Sequence, residues 1–107
     1  MAIREVNSAE IAARPSHEDR RVLVTGAGRG IGQAIAIGFA RRGATVGVAD
    51  VTRADVDATV AAIEAAGGRA VPLVLDVADY AAVESGLAEA ARVIGGPFDT
   101  IINNAGI

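Results

Sequence analysis

The chain contains no lysine and no cysteine, and it has a single tyrosine, Tyr80, and a single histidine, His17. The absence of cysteine excludes disulfides and thiolate metal sites. The absence of lysine excludes a Walker loop, because the lysine of that loop has to reach the nucleotide's phosphates. It also means that chemistry requiring a tyrosine and lysine pair cannot be carried by these residues alone.

Basic and long apolar segments are also missing. The formal net charge is −3, and all ten positive side chains are arginine. A nucleic acid or an anionic membrane would need a basic face, so neither is expected as a partner. Glycine, arginine or aspartate interrupts every apolar stretch before membrane-spanning length. We therefore expect a cytoplasmic protein without a membrane segment, and no metal site, since carboxylates and histidine do not cluster at metal-ligand spacing.

The length of 107 residues and the apolar content of 51% are enough for one small folded unit. Residues 1–20 are polar and lack the apolar core of a secretory signal. We interpret them as an N-terminal extension, helical over about residues 8–13, in which His17 is solvated. Residues 21–107 are interpreted as one domain.

Within residues 21–107, β-type and α-type patterns alternate. Apolar runs predict four strands at residues 22–25, 45–49, 70–75 and 100–103. Helical periodicity predicts three helices at residues 30–42, 52 or 53–66, and 80–94. The inward positions are expected to be Ile31, Ile35 and Phe39 in the first helix and Val56, Val60 and Ile63 in the second. Glycines follow each helix, and Asp79 is placed to cap the third.

Strands that alternate with helices through short loops favour parallel pairing with right-handed crossovers. The predicted fold is a doubly wound, Rossmann-type α/β sheet truncated to four strands in the order 3-2-1-4, with three helices. Pro72 lacks a ladder donor and so places the third strand at an edge. The first two helices are expected on one face and the third on the other, with a ligand at the switch between strands 1 and 4.

The sequence T-G-A-G-R-G-I-G at residues 25–32 links the first strand to the first helix. Glycine supplies positive φ and lets a phosphate approach the backbone, so a dinucleotide's pyrophosphate is expected here. The spacing fits T-G-x-x-x-G-x-G and not the strict G-x-G-x-x-G. The alternative is a tight turn without a ligand. The candidate cofactor-binding residues of this stretch are Thr25, Gly26, Gly28, Arg29, Gly30, Ile31 and Gly32.

Asp50 follows the second strand. A carboxylate at that point can accept both hydroxyls of an adenine ribose and repels a 2′-phosphate, which favours NAD over NADP as the cofactor. Arg29 and Arg53 argue in the other direction, because a guanidinium group could stabilise a 2′-phosphate. NADP therefore stays open as the alternative cofactor, and a turn or helix cap is the alternative role for Asp50.

Together with Leu75-Asp76-Val77 and Asn103-Asn104-Ala105-Gly106, these features resemble the N-terminal half of a short-chain dehydrogenase/reductase. The resemblance covers almost all of the chain beyond residue 20. It implies that Asp76 and the Val77 backbone bind adenine, and that Asn103, Ala105 and Gly106 shape the cofactor cleft. An Asx turn at Asp76 and loop caps at the two asparagines are the alternatives, and both roles can coexist.

The catalytic elements of that family are a serine and a Tyr-x-x-x-Lys helix, and they have no match here. Tyr80 is followed four residues later by Glu84, so we predict a packing or surface role for it and no catalytic residue in this chain. The preferred hypothesis is a truncated NAD-dependent enzyme that, at full length, oxidises an alcohol or reduces a carbonyl and forms a homo-oligomer. The alternative is a non-catalytic dinucleotide-binding module, or a partner that completes another chain's sheet. The chain by itself is expected to be inactive and to self-associate.

Overall fold

The computed structural model describes residues 19–105. The predicted helix at residues 8–13, His17 and the predicted site residue Gly106 lie outside this range. The strands are β1 (Arg21–Thr25), β2 (Thr45–Asp50), β3 (Arg69–Val74) and β4 (Thr100–Ile102). The helices are α1 (Gly30–Arg41), α2 (Arg53–Ala65) and α3 (Tyr80–Ile94). The four strands and three helices predicted between residues 21 and 105 are all present, and their predicted bounds differ by one residue at most.

The four strands form one parallel sheet in the order β3-β2-β1-β4. This confirms the predicted doubly wound topology. Within the described sheet, β3 lies at an edge and its Pro72 pairs in register with Val48 of β2. A proline is tolerated there because its missing N–H would point away from the neighbouring strand.

The two faces of the sheet have separate apolar cores. On one face, Val22, Val24 and Val48 pack with α1 and α2, and Val56 and Ile63 of α2 are fully buried. On the other face, α3 covers the strand residues whose side chains point the opposite way, which are Leu23, Val71 and Leu73. The predicted division of the helices, two on one face and one on the other, is confirmed.

The buried side of α1 differs from the predicted one. The helical periodicity predicts that Ile31 points inward, but this residue is 74% exposed. The residues of α1 that are buried are Gly32, Ala36, Phe39 and Ala40. Glycine and alanine at these positions let the helix axis approach the sheet closely, and Ile31, in the first turn, lies beyond the packed surface at the carboxyl ends of the strands.

The helix ends follow the predicted capping chemistry. Asp79 accepts a hydrogen bond from the Ala82 N–H at 3.1 Å and so caps α3. Gly43, Gly67 and Gly95 follow the three helices by one or two residues, and all have positive φ. Within residues 19–105, none of the helices has the length and apolar character needed to cross a membrane.

Candidate functional site

The predicted site residues that the structure describes, which are all of them except Gly106, lie along the edge of the sheet formed by the carboxyl ends of its parallel strands. In sheet order this edge carries Asp76 after β3, Asp50 at the end of β2, the glycine loop (residues 25–30) after β1, and Asn103 after β4. Neighbouring strands are about 4.8 Å apart, so these groups form a continuous row. Ligands of open α/β sheets bind in the crevice at this edge.

The glycine loop owes its path to two kinds of glycine. Gly26 and Gly30 both have φ of 63°, a conformation that other residues rarely adopt. Gly32 has an ordinary φ, but a Cβ there would overlap the Gly26 carbonyl oxygen and would lie 2.6 Å from Asn104 Nδ2. A Cβ on Gly30 would meet nothing within 4 Å. The first turn of α1 is therefore packed tightly at Gly32, against the glycine loop, and is open at Gly30.

The amino terminus of α1 is left without an internal partner. Arg29, its N-cap residue, makes no side-chain capping bond, and the first turn contains no acidic residue. By contrast, α3 is capped by Asp79 and α2 has Asp55 in its first turn. Among the described residues, nothing accepts hydrogen bonds from the N–H groups of Gly30, Ile31 and Gly32. These donors and the helix dipole together favour an anion.

The Asp50 carboxylate contacts the glycine loop. Its Oδ2 accepts the Gly28 N–H at 2.9 Å, and its Oδ1 accepts the Val51 N–H at 2.8 Å. A Cβ on Gly28 would lie 2.8 Å from Asp50 Oδ2, so glycine is what permits this approach. Each carboxylate oxygen has a second lone pair, so both can still accept a further hydrogen bond.

Arg29 follows Gly28, which Asp50 contacts, and Arg53 is three residues after Asp50 in the chain; each of these arginines faces an aspartate of α2. Arg29 Nε lies 3.8 Å from Asp55 Oδ2, and Arg53 lies 3.6 Å from Asp57. The Arg29 side chain is 85% exposed, so its ion pair is solvated and weak. Together with Asp50, this group has three negative and two positive charges.

Asp76 and Val77 lie beside Asp50, beyond the end of β3. Asp76 Oδ1 accepts the Ala78 N–H at 2.9 Å, which is the Asx turn that the sequence left open. Both Asp76 and Val77 are exposed. The turn occupies one carboxylate oxygen of Asp76 and leaves the other without a partner among the described residues.

On the other side of the loop, Thr25 connects β1 to the turn after β4. Its hydroxyl donates to Asn103 Oδ1 at 3.1 Å and accepts the N–H groups of Asn104 and Ala105, each at 3.0 Å. Asn104 Nδ2 donates to the Gly26 carbonyl at 3.2 Å. The Thr25 proton and both of its lone pairs are thus used within the protein.

Thr59 is a residue near the glycine loop that the sequence reasoning missed. It lies in α2, is fully buried, and donates to the loop carbonyls of Ala27 and Gly28 at 3.0 and 3.2 Å. The available signal was its polarity: a threonine on the same helix face as Val56 and Ile63 is buried, and a buried hydroxyl needs a partner.

Exposed apolar side chains collect at the same edge of the sheet. Ile31, Val51, Val77 and Tyr80 are between 47% and 80% exposed, and all lie in the first turns or loops after the strands. The exposure of Tyr80 agrees with the predicted surface role. Such a patch beside uncapped helix donors suits a ligand that has both apolar and anionic parts.

Comparison with known proteins agrees with this fold. The sequence profile described as short chain dehydrogenase matches residues 20–107. The chain is 49% identical over 89 residues to the probable oxidoreductase EphD of Mycobacterium tuberculosis. These 89 residues are 83% of this chain and 15% of EphD. The chain is also 49% identical over 85 residues to the short-chain reductase protein NovJ of Streptomyces niveus, covering 79% and 32% respectively.

A solved structure has the same fold. A 3-oxoacyl-[acyl-carrier protein] reductase with bound NAD from Brucella melitensis matches with a TM-score of 0.79 and 46% identity. The match covers 100% of this chain and 40% of that one. The chain therefore spans between about one seventh and two fifths of the length of these proteins.

Proposed function

This chain belongs to the short chain dehydrogenase family, and from that premise we propose that it is the dinucleotide-binding portion of an NAD-dependent oxidoreductase. The observation that carries the proposal is the amino terminus of α1, where the N–H groups of Gly30, Ile31 and Gly32 have no partner among the described residues. A pyrophosphate supplies the acceptors and the negative charge that this helix end lacks.

The open side of Gly30 fits the same ligand. Because a Cβ on Gly30 would meet no atom within 4 Å, the backbone there can be approached closely from outside. Gly32, below it, brings the helix against the end of β1. We propose that residues Gly26, Gly28, Arg29, Gly30, Ile31 and Gly32 form the pyrophosphate site, with Thr25 and Asn103 fixing the loops around it. The N–H groups of Gly30, Ile31 and Gly32 are the donors, and Gly26 and Gly28 shape the loop.

Asp50 is the proposed partner of the adenine ribose, and it favours NAD over NADP. Its free lone pairs can accept the two ribose hydroxyls, while its charge opposes a 2′-phosphate. The two nearby arginines, which could stabilise that phosphate, each face an aspartate of α2. The excess of carboxylates over guanidinium groups supports NAD.

The adenine ring is proposed to lie between the loops after β2 and β3. Val51 and Val77 provide exposed apolar surface there, and the Asp76 oxygen that is not used by the Asx turn can accept a hydrogen bond from the adenine amino group. Ala105 and Gly106 are proposed to border the cleft on the β4 side.

The chemistry that NAD would supply is hydride transfer, to or from an alcohol or carbonyl carbon of a small substrate in the whole protein. The proton transfer that accompanies it needs an acid or base beside the substrate. We assign that role to no residue of this chain, since Tyr80, its only tyrosine, is exposed at the start of α3 and the chain has no lysine. We further propose a cytoplasmic enzyme that is a homo-oligomer at full length.

Calorimetric titration of the chain with NAD, NADP and AMP tests the proposal. NAD and AMP are expected to bind with dissociation constants in about the millimolar range, because mainly the adenosine half of the site is supplied by these residues. NADP is expected to bind more weakly than NAD, because Asp50 repels the 2′-phosphate. If the folded chain binds none of the three, the proposed function is wrong. If NADP binds as tightly as NAD, only the assignment of NAD is wrong.

Self-association of the chain is a second expectation. In the described sheet β4 is an edge strand of three residues, and its outer N–H and C=O groups have no strand beside them. Helix α3, which covers one face of the sheet, packs chiefly against β3 at the opposite edge from β4. We expect the apparent mass in size-exclusion chromatography to rise above 10.7 kDa as the protein concentration increases. A constant monomer mass over a hundredfold range of dilution, about 10 μM to 1 mM, would rule this out.

A further inference from the structure

The Thr59 hydroxyl makes three hydrogen bonds inside the protein core. It lies between Val56 and Ile63 on the buried face of α2 and has no exposed surface. Its hydroxyl donates to the carbonyl oxygens of Ala27 and Gly28, and it accepts a hydrogen bond from Gln33 Nε2 at 3.1 Å. The Gln33 contact uses an oxygen lone pair, which leaves the hydroxyl proton for the two carbonyls.

These contacts complete the internal bonding of the glycine loop. The Ala27 N–H donates to the Ala49 carbonyl at 3.0 Å, and the Gly28 N–H donates to Asp50. With Thr59 included, both the N–H and the C=O groups of these two residues are bonded toward the protein. The groups of the adjoining helix end that remain available to a ligand are donors.

Carbonyl direction matters because a carbonyl oxygen turned toward the open side would repel a phosphate. We propose that Thr59 is a positioning residue, which holds the Ala27 and Gly28 carbonyls away from the anion and so keeps the loop in its phosphate-accepting conformation. This inference rests on the proposed dinucleotide function, and it adds a specific role for a side chain that does not touch the ligand.

The test compares Thr59→Val, which keeps the shape and removes the hydroxyl, with Thr59→Ser, which keeps the hydroxyl. ADP and adenosine are the probes, since only ADP contains a pyrophosphate. We expect Thr59→Val to weaken ADP binding about tenfold, to change adenosine binding less than about twofold, and Thr59→Ser to restore ADP binding. Thr100→Val is the matched control, because Thr100 is also a buried threonine but lies at the far end of β4.

An equal loss of ADP and adenosine binding in Thr59→Val would overturn the proposal, because it would indicate a general structural role. Unchanged ADP binding would overturn it as well. Gln33→Met, a milder change at a half-buried position, is expected to weaken ADP binding about two- to threefold. It provides the same comparison if Thr59→Val does not fold.

Amide hydrogen exchange without any ligand separates this inference from the proposed function. In Thr59→Val, or in Gln33→Met if that variant is used, exchange at the Ala27 and Gly28 amides is expected to accelerate, while exchange at Val24 in β1 stays constant. If wild type does not bind ADP, the dinucleotide function fails, yet faster exchange confined to the loop still supports the positioning role. Unchanged amide exchange in the loop would overturn that role, whether or not ADP binds.

Discussion

Replacing Gly32 with alanine is expected to lower the free energy of unfolding by about 3 kcal/mol, at the upper end of the usual cost of overpacking. The added Cβ would overlap the Gly26 carbonyl oxygen, which is backbone and cannot rotate away. It would also lie 2.6 Å from Asn104 Nδ2, the group that donates to that carbonyl. Helix α1 would have to move away from the end of β1.

Gly38→Ala in the same helix is the matched control. A Cβ at Gly38 meets nothing within 4 Å, so only helix propensity changes, and the free energy of unfolding is expected to rise by about 1 kcal/mol. Urea denaturation followed by circular dichroism measures both variants. Equal effects of the two substitutions would contradict the close contact between Gly32 and the glycine loop.

The sheet topology was accessible from the sequence because each element has a local signal. The apolar run at 22–25, the helical periodicity after it and the glycine at 43 are all close in the chain, and the right-handed crossover rule converts their alternation into one strand order. Pro72 predicts that β3 lies at an edge of the sheet, and Asp79 predicts where α3 begins. The site edge followed, since the carboxyl ends of parallel strands lie together.

The inward face of α1 and the role of Thr59 could not be obtained in the same way. The helical periodicity predicts that Ile31 is buried because it is large and apolar. In the structure Gly32 and Ala36 face the sheet, because small residues allow the helix to pack closely against it. The contacts of Thr59 join residues 31 and 32 positions apart in the chain, so no local pattern contains them. The same holds for the pairing of Arg29 with Asp55, which belong to different elements of the fold.

Replacing Asp50 with asparagine is expected to reduce NAD affinity about 30-fold, equivalent to about 2 kcal/mol, the usual worth of hydrogen bonds to a charged group. The amide oxygen of asparagine can still accept the Gly28 N–H, so the loop keeps this anchor. The second oxygen and the negative charge are lost. NADP affinity is expected to fall less than NAD affinity, because removing the charge also removes a repulsion of the 2′-phosphate.

Calorimetry with AMP and 2′-deoxy-AMP distinguishes a direct contact with the ribose from an effect on the loop. In wild type, loss of the 2′-hydroxyl should weaken binding because Asp50 loses a donor; in Asp50→Asn the two ligands should bind almost equally, as expected when both partners of one contact are removed. Glu64→Gln removes the same charge from an exposed position at the far end of α2 and should leave all affinities unchanged. If the deoxy ligand is equally disfavoured in wild type and Asp50→Asn, Asp50 does not bind the ribose, and its function is confined to holding Gly28.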